Sequence, residues 1–151
     1  MLERYSHGTN GPCGPACLAV IERRPIRDVL ADWQPLFGDY RGWAAWKELR
    51  QYLKKKGYKI KQCRFTGEIN PTGENFVICR VQWVGPSGES RFAGWKHWSE
   101  AAAHTHFILV VDHNFFCSEE GWYSLDNIND YLEGKPGLVS GVVTSYLEVT
   151  R

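Results

Sequence analysis

Five cysteines and five histidines carry most of the nucleophilic and acid–base potential of this 151-residue chain. Cys13 stands out by its setting, Asn10-Gly11-Pro12-Cys13-Gly14-Pro15-Ala16-Cys17-Leu18-Ala19-Val20-Ile21. Cys13, Cys17, Val20 and Ile21 recur at helical spacing, and Pro15 fits a first turn, where no intrahelical N–H bond is required. The spacing predicts a helix over 13–22 with Cys13 at its mouth. Unpaired backbone N–H groups and the positive end of the helix dipole lie there, and both favour thiolate over thiol. A thiol so placed becomes a nucleophile when a histidine can take its proton.

His104-Thr105-His106 leads into Phe107-Ile108-Leu109-Val110-Val111, an apolar run that reads as a buried strand. His106 falls at the mouth of that strand, with His104 on the same face because side chains alternate along extended chain. A scaffold strand fixes an imidazole well enough for catalysis. The ring then needs an acceptor for its second nitrogen. Glu120-Gly121-Trp122-Tyr123-Ser124-Leu125-Asp126-Asn127 reads as a turn and a strand with Asp126 and Asn127 at its end. Paired antiparallel with the histidine strand, it would set its end beside that strand's start. The expectation is a triad with Cys13 as nucleophile, His106 as general base and acid, and Asp126, or alternatively Asn127, as orienter.

Plainer readings stand beside these. Cys17, and less readily Cys13, reads as a small core residue, since free cysteine is among the most buried types. His106 reads as a core histidine bonded to backbone, and Asp126 as a turn or cap residue. Cys13, Cys17, His104 and His106 together would satisfy tetrahedral zinc, but C-x3-C with H-x-H departs from the usual ligand spacing. The reading adopted has no metal and no organic cofactor. Trp95 and Trp98, flanking Lys96-His97, read as an anchored loop before a substrate-facing lid, because aromatic rings usually bury.

The elements that must position these residues follow from periodicity. Ile26, Val29, Leu30 and Trp33 predict a short second helix ended near Pro35. Trp43, Trp46, Leu49 and Leu53 form an apolar stripe that predicts a third over 41–56, closed by Lys54-Lys55-Lys56 and Gly57. The period then becomes two, with an edge strand over 58–65 and strands over 76–84, 107–111, 122–125 and 142–149. Turn clusters at 85–88 and 133–137 separate them. Helices first and strands afterwards, without βαβ alternation, predict one α+β domain over 1–151 whose N-terminal helices pack on an antiparallel sheet. Neither glycine-rich nucleotide-binding spacing occurs.

Composition narrows the partners. With 43% hydrophobic and 23% charged residues the chain can bury a core, and a net charge of +1 gives no field that argues for nucleic acid or a membrane surface. No run approaches the roughly 18 apolar residues of a membrane span, and residues 1–7 do not resemble a signal peptide. An odd number of cysteines without such a signal points to free thiols in a reducing, cytoplasmic setting. The expected partner is a peptide or protein substrate.

The cysteine block resembles the C-G-x-A-C-L-A block of the bacteriocin-processing, double-glycine leader peptidases of the papain-like cysteine peptidase superfamily. His106-Phe107-Ile108-Leu109-Val110 resembles that family's histidine strand, and Tyr123-Ser124-Leu125-Asp126 its later strand ending in an acid. The matching blocks cover about a fifth of the chain. The resemblance implies a papain-like α+β fold, the same Cys13, His106 and Asp126 roles, and hydrolysis of a peptide or isopeptide bond through a thioester. Deamidation or acyl transfer by the same thioester chemistry is the alternative, as is a non-catalytic binding module on that scaffold. The chain departs from the family at two positions: His7 stands where a glutamine completes the oxyanion hole, and Pro12 where an acidic residue is common. His7 or Asn10 is then the expected replacement donor.

Overall fold

The computed structural model describes residues 12–64, 75–86, 91–133 and 140–151. The first helix, α1 (Cys13–Glu22), is buried at every position from Gly14 to Ile21. A helix apolar on all sides needs cover on all sides. It lies against the sheet on one side and α2 (Ile26–Phe37) on another, with α3 (Trp46–Lys55) completing the layer. Arg23 closes α1 in the left-handed region at φ 55°, its N–H bonded to Val20 and that of Arg24 to Ala19.

Two helix bounds differ from expectation. Pro35 does not stop α2, which continues to Phe37; the ring removes one hydrogen bond, but the Gly38 N–H still reaches the Gln34 carbonyl at 2.8 Å. The third helix starts at Trp46 rather than near residue 41, where the Glu48 carboxylate accepts from the Ala45 N–H at 3.0 Å. Trp43 therefore leaves the apolar stripe, is 57% exposed and carries the Arg41 guanidinium on its ring.

The strands β1 (Lys59–Arg64), β2 (Phe76–Trp83), β3 (Thr105–Val111), β4 (Asn114–Cys117), β5 (Gly121–Ser124) and β6 (Gly141–Thr150) form one sheet, ordered β1-β6-β2-β3-β4-β5. Every neighbouring pair is antiparallel. The α+β expectation holds at this level: helices packed on an antiparallel sheet. β1 is an edge strand with Lys59, Lys61 and Arg64 exposed, charges that discourage pairing with another chain.

Alternation along the strands makes two cores. Ile78, Phe107, Leu109, Leu147 and Val149 face α1, α2 and α3. Val77, Cys79, Val81, Ile108, Val110 and Phe115 face the other way, covered by Tyr131 of the short helix α5 (Ile128–Glu133). A further short helix, α4 (Trp98–Ala103), is tied to β2 by the buried Gln82 amide, which donates to the Ala101 carbonyl at 2.8 Å. Trp95 is anchored, its indole N–H on the Trp83 carbonyl and its ring stacked on His104, whereas Trp98 is 68% exposed. The turn clusters at 85–88 and 133–137 fall partly outside the described residues. No described helix is long and apolar enough to cross a membrane.

Candidate active site

Cys13 occupies the first position of α1, half-buried, where the chain leaves Pro12. Gly14 permits the close seat that follows: a Cβ there would meet Ala44 at 3.1 Å and the Phe107 ring at 3.8 Å. The helix mouth thus comes down onto β3 at Phe107.

The backbone of Phe107 is open at that point. In an antiparallel ladder successive residues turn their N–H and C=O groups to opposite neighbours. The Trp83 N–H bonds the His104 carbonyl at 2.9 Å, so His104 and His106 address β2 while Phe107 and Leu109 address β4. The β3–β4 ladder reaches Leu109 and Phe116 but not Phe107. Two thiols of α1 cover the gap. The Phe107 N–H faces the Cys13 sulfur, and the Cys17 thiol donates to the Phe107 carbonyl at 3.8 Å. Cys17 is fully buried, as its plainer reading expected.

Burial raises the Cys13 pKa above the ordinary thiol value, while the Phe107 and Gly14 amides pull it down. The expected pull of the helix mouth towards thiolate is present in these amides, but withdrawal from water outweighs it. Tyr40 is close enough to be affected by charge on Cys13, and its buried hydroxyl has no hydrogen-bond partner among the described residues.

His106 follows the alternation to the opposite face from Phe107, so the strand does not by itself set its ring beside Cys13 as the expected triad requires, and 8% of it is exposed. Its Nε2 lies 3.2 Å from the sulfur of Cys117, at the end of β4. Cys117 is completely buried and accepts from the Tyr131 hydroxyl at 3.3 Å. In the turn after β4 the Glu120 N–H donates to the Cys117 carbonyl at 3.2 Å, and the Glu119 and Glu120 amides lower the Cys117 pKa. Burial nonetheless keeps its pKa raised. The His106-Phe107 dipeptide therefore has Cys13 and Cys17 on one side and Cys117 on the other, and the electrostatic influence of Cys117 reaches both α1 thiols.

Asp126 is not beside His106, which corrects the third member of the expected triad. Asp112 and His113, both at positive φ, turn the chain into β4, and β5 pairs with β4 rather than with β3. A strand inserted between them makes β5 run parallel to β3, so its end lies by the end of β3. Asp126 sits there on the exposed His113, carboxylate to Nε2 2.9 Å. The length of β3 from His106 to Val111, roughly 17 Å at strand rise, separates the two positions. Asn127 ends the same 3-10 turn, Leu125–Asn127, and shares that location.

His104 caps α4 with Nδ1 2.7 Å from the Glu100 carbonyl, stacked on Trp95 instead of extending from β3 beside His106. Among the described residues no three His, Cys, Asp or Glu side chains converge as a metal site, so the zinc set of Cys13, Cys17, His104 and His106 is not assembled. His7 and Asn10 lie outside the described residues.

The sequence reading missed Cys117 and Tyr131. The signal for Cys117 was available: Phe115-Phe116-Cys117 follows an apolar strand after two residues of turn-forming type, which is a hairpin pattern. Tyr131 had no comparable signal, since six residues of helix show too little periodicity. No family model matches the chain, and no curated protein matches it.

Proposed function

We propose that this protein is a thiol hydrolase of the papain-like kind, acting on a peptide or isopeptide carbonyl with Cys13 as nucleophile and His106 as base. One observation carries the reading: a partly buried thiol at a helix mouth feels the backbone amide of Phe107, the residue that follows a buried histidine. Cys117 is the other thiol near that histidine, but a fully buried sulfur cannot meet a substrate. Exposure favours Cys13 as the attacking group.

The chemistry needs only thiol and imidazole. His106 removes the Cys13 proton, and the thiolate adds to the carbonyl carbon, giving a tetrahedral oxyanion. Collapse breaks the C–N bond, and the imidazolium returns its proton to the leaving amine. Water, deprotonated by His106, then cleaves the thioester and releases the acid and the Cys13 thiol.

Mass spectrometry of a peptide mixture incubated with the full chain, beside Cys13→Ser, tests the reaction. Backbone or isopeptide cleavage that disappears in Cys13→Ser is expected. A deamidation shift or a cross-link lost in the same variant would reassign the reaction while keeping the nucleophile. Products identical in both samples would refute the proposal.

A further inference from the structure

We infer that Cys117, held by Tyr131, is the positioning residue for His106, filling the role expected of Asp126; the inference rests on the Cys13–His106 reading. Nε2 of His106 stands 3.2 Å from the Cys117 sulfur, and the Tyr131 hydroxyl reaches the same sulfur at 3.3 Å. The turn after β4 is tied to the same residue, the Glu120 N–H donating to the Cys117 carbonyl at 3.2 Å. A sulfur bounded by these groups in a dry core is fixed in place. It can hold one face of the imidazole as an orienting carboxylate would.

The contact admits either tautomer, and the positioning role needs the one with the proton on Nε2. When Nε2–H donates to Cys117, the lone pair stays on Nδ1, which is the basic nitrogen. The orienter is a neutral thiol, so it fixes the ring without the charge that stabilises an imidazolium. His106 is therefore a weaker proton acceptor than it would be beside a carboxylate. Among the described residues, the titratable groups around this corner are Cys13 on α1, Cys79 on the same face of β2, Cys117, Tyr131 on α5, and Glu119 and Glu120 in the turn.

The rate of Cys13 alkylation by iodoacetamide in the full chain, mapped by peptide mass spectrometry from mildly acidic to mildly alkaline pH, tests the assignment. Cys117→Ala is expected to slow Cys13 about three- to tenfold at neutral pH, the worth of one neutral hydrogen bond. Cys117→Asn, which retains a neutral acceptor, restores the wild-type profile. Cys117→Asp moves the rising limb to lower pH, because a carboxylate on Nε2 stabilises the imidazolium and through it the Cys13 thiolate. If all three variants keep the wild-type profile while His106→Ala slows Cys13, the role of Cys117 is overturned and the Cys13–His106 reading survives. If His106→Ala also leaves Cys13 unchanged, both fall. Should Cys117→Ala fail to fold, equal profiles for Cys117→Asn and Cys117→Asp overturn the assignment.

Discussion

Cys13 and Cys117 flank the same dipeptide of β3, and burial raises the pKa of both, yet they differ in exposure and in what holds them. Cys13 is partly buried, sits on a helix mouth and is influenced by backbone amides. Cys117 is sealed, sits on a strand end and is bonded to an imidazole and a phenol. The first is placed to be reached and the second to be held. The contrast separates two requirements that a cysteine–histidine site must meet, an accessible sulfur and an immobile base, and assigns them to different cysteines.

The largest expected effect breaks the comparison at its shared member. His106→Ala should slow acyl transfer to Cys13 by about 10²- to 10⁴-fold, the usual contribution of a positioned general base, measured as ester or peptide turnover. A loss under tenfold would mean that the imidazole serves the Cys117 core alone.

Alkaline pH tests the buried thiols as a class. Burial pushes Cys79 up to about 12, and Cys17 is also raised well above its ordinary value. A group with a raised folded pKa stabilises fully below its unfolded pKa and loses that contribution as pH rises towards the folded value. Stability should therefore fall from about pH 9 upwards, by about 1.4 kcal/mol per pH unit for each such thiol. Urea midpoints across that range read the slope, and a flat midpoint would contradict the burial of these sulfurs.

Gly14→Ala sharpens the Cys13 side. The added methyl meets Ala44 at 3.1 Å and should cost about 1–3 kcal/mol by overpacking. Turnover should fall beyond what that loss of stability explains, because the helix mouth moves off β3. Unchanged turnover would show that the seating of α1 is not critical.

The smallest expected effect is at Asp126. Its exposed pairing with His113 lies at the wrong end of β3, so Asp126→Ala should leave turnover within about twofold of wild type. A loss of tenfold or more would restore Asp126 to the site and remove Cys117 from it.

Much of the architecture was legible because its determinants are local. The apolar spacing from Cys13 to Ile21 gave α1, and the β-branched and aromatic runs at 76–83 and 105–111 gave the central strands. The elements that carry Cys13 and His106 were legible for the same reason, each residue lying near one element's end. Asp126 was misplaced because its position depends on how many strands intervene. Asn114–Cys117 is only four residues long, yet inserting it reverses which end of β3 the next strand meets. The strand that carries Cys117 had a hairpin signal, but its contact with Tyr131 did not, because it joins a strand end to a short helix through the core and no spacing in the chain records it.

The acyl group itself gives the most direct test of the central claim that Cys13 attacks while Cys117 orients. The full chain is mixed with a p-nitrophenyl ester, quenched in acid during turnover, and the thioester is located by peptide mass mapping. The account predicts the acyl mass on Cys13, absent in His106→Ala. An acyl mass on Cys117, or on Cys13 at an equal rate without His106, would contradict it.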